Sequence, residues 1–103
     1  MTREDALEAL AVRRGLIDEV DLRILALLNE RAAIVEEIGH IKQSANMAIY
    51  EPRREDQVFQ NVTSHNGGPL TPEAVKRVFE RIIDEMRKVQ SDRMEADKKQ
   101  CSS

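Results

Sequence analysis

From Thr2 to Lys42 the chain carries no proline, and its apolar residues recur at helical spacing. Only Gly15 and Gly39 interrupt the run. A helix of about 40 residues is a rod of roughly 60 Å at 1.5 Å rise per residue. A compact globule of 103 residues is only about 35 Å across. Such a helix either breaks or is covered by another chain. Neither glycine has a proline or a polar turn cluster beside it, so the preferred reading is an unbroken helix in a dimer.

Two punctuation points, Ser44 to Pro52 and His65 to Pro72, divide the rest of the chain. Between them Pro52 suits a first helical turn, and Val58, Phe59 and Val62 form a short apolar stripe, which predicts a helix of about four turns. Thr71-Pro72-Glu73 reads as an N-cap, a proline at the first helical position and a first-turn acid. Val75, Val78, Phe79, Ile82, Ile83, Met86 and Val89 follow at spacings of 3 and 4. The apolar spacing stops near Asp92, so the domain is expected over 1–92, with 93–103 a frayed polar tail.

With 3% aromatic residues, no Trp, 4 Gly and 3 Pro, the chain lacks the turns of a sandwich or barrel, and the fold class expected is all-α, three helices, one of them very long, in a dimer. The net charge of -3 argues against nucleic acid or an anionic membrane as the main partner. No apolar run is long enough for a membrane span, and the acidic opening Met1-Thr2-Arg3-Glu4-Asp5 is unlike a signal peptide. The single cysteine, Cys101, has no partner for a disulfide or a zinc site. These features predict a cytoplasmic protein.

Steps of 3 and 4 along one face of the first helix read Arg14, Ile17, Asp21, Ile24, Leu28, Arg31, Val35, Ile38 and Lys42. This apolar seam holds three cations, and a buried unpaired cation costs several kcal/mol. Pairing within the protein is one solution; an anionic ligand between helices is the better explanation for three cations in register. Arg31 and Lys42, 11 residues apart, share a face about 16 Å apart and can grip one small molecule. Arg14 lies about 25 Å from Arg31 and serves another site or the same site from another subunit. An antiparallel two-fold near Leu22 brings Arg14 of one chain opposite Arg31 of the other.

Glu51 and Glu55, four apart, can accept from a ligand hydroxyl, and Arg54 can reach a carboxylate. A solvated acidic helix start is the plainer reading of the same residues. Gln90 continues the apolar side of the third helix, where a boundary role is the ordinary one. His40 and His65 have no acid or cysteine at metal-ligand spacing, so no metal is expected. The sequence offers no nucleophile with a partnered base and no glycine-rich phosphate loop.

Arg14-x-x-Ile17-Asp18-x-x-Asp21, Leu27-Leu28-Asn29-Glu30-Arg31, Ile38-Gly39-x-Ile41-Lys42 and Tyr50-Glu51-Pro52-Arg53-Arg54-Glu55, in this order, resemble the AroQ-type chorismate mutase domain. Gly68-Pro69-Leu70-Thr71-Pro72-Glu73 and Val78-Phe79-x-x-Ile82-Ile83 are similar to its second loop and third helix, so the likeness covers roughly residues 7 to 91. The resemblance implies an intertwined dimer that converts chorismate to prephenate with no cofactor and no covalent intermediate. It implies that Arg31 and the partner subunit's Arg14 bind the substrate carboxylates with support from Arg54. Lys42 and Gln90 would then hydrogen-bond the ether oxygen, with Glu51 and Glu55 near the ring hydroxyl. Met86 stands four before Gln90, where the family often has a small hydroxyl residue, which removes one polar contact.

Such a reaction moves no proton, so it needs no nucleophile or general base; it needs a held conformer and donors for charge growing on the ether oxygen. Three other readings stay open. One is an isochorismate pyruvate lyase of the same fold; another is a non-catalytic module sensing prephenate or chorismate on another shikimate-pathway enzyme. The third is a plain helical interaction protein.

Overall fold

The computed structural model describes residues 1–101, with side chains through Lys99. The expectation for the Cys101 thiol, and the last residues of the expected tail, lie outside what is described. The described chain is all-α: α1 (Arg3–Ser44), α2 (Pro52–Ser64) and α3 (Pro72–Cys101). None of these helices is long and apolar enough to cross a membrane. The chain divides into two compact units, Met1–Ala33 and Ile34–Ser103.

The first unit consists of the opening of α1. Thr2 and Asp5 cap it reciprocally: Asp5 N–H donates to Thr2 Oγ1 at 3.1 Å, and Thr2 N–H donates to Asp5 Oδ2 at 3.2 Å. Two of the four orphan amides of the helix start are thereby satisfied. Leu10, Leu16, Ile17, Val20, Ile24 and Leu25 are all exposed on this unit. Gly15 does not break the helix.

The second unit buries Val35, Gly39 and Lys42 of α1, at spacings of 4 and 3, together with Val75, Ile83 and Met86 of α3. Val58, Phe59 and Val62 of α2 are half-buried, and α2 packs on α3. The α1 terminus is a Schellman motif: Asn46 adopts φ 56°, Met47 N–H donates to Lys42 O at 2.8 Å and Asn46 N–H to Gln43 O at 3.3 Å. Asparagine is one of the few side chains that tolerate this left-handed backbone. α3 starts as its sequence predicts, with Thr71 Oγ1 accepting from Ala74 N–H at 3.1 Å.

One expectation is corrected. The segment from residue 93, expected to fray, is helical as far as Cys101. Within it Asp97 is buried, pairing with His40 of α1 and Arg93 of its own helix. Apolar periodicity carries no signal for such a contact.

Candidate active site

Three departures from regular backbone bring the polar groups of the second unit together. The Schellman turn folds the chain back over the last turn of α1, and Lys42 Nζ donates to Ile49 O of the returning segment at 2.9 Å. Glu51 stands at the N-cap position of α2 yet makes no capping hydrogen bond. Its carboxylate instead pairs with Lys42 Nζ at 2.7 Å. The third departure is a close helix approach. A Cβ built on Gly39 would lie 3.2 Å from Gln90 O and 3.3 Å from Gln90 Cα, so only glycine lets α3 come this near. At this crossing Lys42 Nζ donates to Gln90 Oε1 at 2.9 Å.

Lys42 is therefore a buried cation, 5% exposed, with all three ammonium hydrogens directed at oxygen atoms. Removal from water costs a lone cation several kcal/mol, and one carboxylate with two dipoles offsets that cost. Because Nζ only donates, the oxygen of the Gln90 amide must face it, which leaves the Nε2 hydrogens for another acceptor. An ammonium and an amide with unused donors thus stand side by side. A fourth acceptor reaching Nζ has to displace one of these three partners. Glu51, whose side chain is 46% exposed, is the partner free to swing into water.

Glu55, half-buried, is held by a residue that sequence reasoning missed. Arg87 clasps it bidentately, Nε to Oε2 at 3.1 Å and the terminal nitrogen to Oε1 at 3.0 Å. The same guanidinium lies over the Tyr50 ring at 5.5 Å from its centroid, tying both ends of the Tyr50–Glu55 segment to α3. The available signal was its spacing, four after Ile83 and three before Gln90, which puts it beside the buried stripe. Met86 is buried as an apolar core residue.

The structure gathers Lys42, Glu51 and Gln90, and sets Glu55 on Arg87 nearby in sequence at the start of α2. Arg54 is exposed on α2. Arg14, exposed, and Arg31, half-buried, belong to the first unit. The plainer reading of Glu51 and Glu55 as a solvated helix start gives way to two ion pairs with other helices.

Comparison with known proteins follows the same residues. The signature of chorismate mutase type II matches residues 13–91. A bifunctional chorismate mutase/prephenate dehydratase of Aquifex aeolicus is 40% identical over 81 residues, covering 75% of this chain and 22% of that protein. Its namesake from Neisseria gonorrhoeae is 41% identical over 78 residues, covering 76% of this chain and 21% of that protein. The chain thus spans about a fifth of the length of these relatives. A solved chorismate mutase of Thermus thermophilus superposes with a TM-score of 0.79 at 29% identity, covering 81% of this chain and 94% of that one. By the extent of the sequence match and of the shared helical fold, the chain belongs to the chorismate mutase type II family.

Proposed function

We propose that the chain catalyses the rearrangement of chorismate to prephenate, as a homodimer and without a cofactor. The observation that carries this reading is the buried Lys42 ammonium hydrogen-bonded to the Gln90 amide where α3 meets the last turns of α1. In the rearrangement the ether C–O bond breaks while a C–C bond forms, six electrons move round one ring, and no proton is transferred. Negative charge grows on the ether oxygen. Lys42 Nζ and Gln90 Nε2 donate to that oxygen, which takes the place of Glu51 on Lys42. A single donor of this kind is worth about 10²–10³ in rate, and an enhancement on the order of 10⁶ needs about 8 kcal/mol in all.

The remaining stabilisation comes from holding the reactive conformer. Arg31 and the partner subunit's Arg14 bind the two carboxylates, with support from Arg54 of the same chain as Arg31, and pinning the substrate in this way replaces a large loss of entropy at the barrier. Glu51, once released, and Glu55 accept from the ring hydroxyl; a carboxylate in a bidentate pair with arginine still has lone pairs to offer. The exposed apolar side chains along α1 support the dimer, since a chain alone leaves them in water. The one cysteine of this chain supports a reducing, cytoplasmic location. The bifunctional relatives support association with an enzyme that consumes prephenate.

Incubation with chorismate and chromatographic identification of the product tests the reading. Prephenate is expected. In a parallel incubation with isochorismate, salicylate with pyruvate would make the chain a lyase, and unconverted chorismate bound at micromolar affinity would make it a sensor.

A further inference from the structure

Arg93 and Asp97 lie three and seven residues beyond Gln90, so all three share one face of α3. Asp97 is only 8% exposed although it sits in a polar stretch where every neighbour could face water. Burying a carboxylate costs free energy unless partners replace its hydration, and two do: a hydrogen bond with His40 Nδ1 at 3.0 Å and an ion pair with Arg93 Nε at 3.3 Å. Arg93 is on the same helix and can follow Asp97 wherever α3 moves. His40 is on α1, adjacent to Gly39 and two residues before Lys42. The contact at Gly39 sets how near α3 comes to α1, but a glycine offers no side chain to stop one helix from sliding along the other. A charged hydrogen bond from the next residue of α1 to a buried carboxylate two turns beyond Gln90 does stop it.

We infer that Asp97 is a positioning residue for the Lys42–Gln90 pair: through His40 it sets the axial register of α3 on α1 and so holds the Gln90 amide on the ammonium. Asp97 and Arg93 lie beyond residue 91, where the match to the family signature ends, on the continuation of α3. This positioning role rests on the reading of Lys42 and Gln90 as donors to the ether oxygen. Asp97 touches neither of them and acts only through the helix.

Steady-state kinetics on chorismate, normalised to folded protein by circular dichroism, test this with Asp97→Ala, Asp97→Asn, His40→Ala and the double variant Asp97→Ala/His40→Ala. The expected result is a five- to tenfold fall in kcat for each alanine variant with KM within twofold, no further fall in the double variant, and partial recovery in Asp97→Asn, whose amide oxygen still accepts. A kcat equal to wild type in Asp97→Ala or Asp97→Asn and His40→Ala, with only the melting temperature lowered, overturns the inference, and so do additive losses in the double variant. An NMR readout is independent of activity: the Gln90 side-chain amide resonances, assigned by their loss in Gln90→Ala, shift in Asp97→Asn and His40→Ala. Unmoved resonances overturn the inference. Shifted resonances in a protein inactive on chorismate would sustain the clasp while sinking the mutase reading.

Discussion

Lys42 carries two loads, since it is buried and since its partners are the groups that converge with it. Replacing it by methionine keeps the length of the side chain and removes the charge, leaving Glu51 to turn into solvent. The Lys42→Met protein is expected to stay folded and to lose about 10²–10³ in kcat with a much smaller change in KM, because the ammonium meets more charge in the transition state than in the ground state. Steady-state kinetics decide it: an unchanged kcat with raised KM would assign Lys42 to ground-state binding. Gly39 makes a finer test. In Gly39→Ala the new methyl meets backbone atoms of Gln90 at 3.2 and 3.3 Å, which cannot rotate away. The gain in helix propensity, about 1 kcal/mol, offsets much of the strain. Stability by chemical denaturation should therefore stay within about 1 kcal/mol of wild type while Gln90 shifts by a few tenths of an ångström. Since a misplacement of about 1 Å can cost 10²-fold, a loss of about tenfold in kcat is expected.

The helices end where local chemistry tells them to, and two of those ends serve the site. The Schellman turn at Asn46 returns the chain so that Ile49 O meets Lys42, which makes the turn a support for a buried cation as well as a helix stop. Asn46→Gly should be neutral or slightly stabilising, whereas Asn46→Val should cost about 1–2 kcal/mol, because a β-branched side chain with no polar group to bond locally is poorly tolerated in left-handed backbone. Urea titration of the two variants measures the difference, and equal stabilities would remove the conformational argument. Glu51 shows the opposite economy. It stands where a side chain would cap α2 and is engaged by Lys42 instead, so α2 starts without a side-chain cap and with Pro52 in its first turn. α3, by contrast, has a full cap from Thr71.

For the whole molecule the governing fact is the length of α1 and the apolar side chains it leaves exposed. A dimer is the expected state, and sedimentation showing a folded monomer at micromolar concentration would refute it. The shared site makes a sharper forecast. If Arg31 of one chain works with the partner subunit's Arg14, then Arg14→Ala and Arg31→Ala homodimers are each impaired at both sites. In a mixed dimer one site collects both defects and the other is whole. Random exchange makes about half the dimers mixed, so about one quarter of wild-type activity should return on co-refolding. Confirmed mixed dimers no more active than their parents would separate the two arginines.

Three helices, two breaks and the Thr71 cap are legible in the sequence because each depends on residues within one or two turns, where spacing and capping chemistry act. So is the placing of cations on the seam of α1, since a single helix determines which residues share a face. The resemblance to a known family added the expectation that Lys42 and Gln90 serve one site; their hydrogen bond across 48 residues, which periodicity alone does not connect, came from the tertiary structure. Tertiary structure decided the rest. Arg87 reaches Glu55 across 32 residues and His40 reaches Asp97 across 57, and both contacts join charged residues whose sequence neighbours look equally suited to water. A polar residue in an amphipathic helix faces solvent unless another helix happens to cross there. How near α3 comes to α1 is set by the space that Gly39 leaves open, and that approach decides which charges are taken out of water and into pairs.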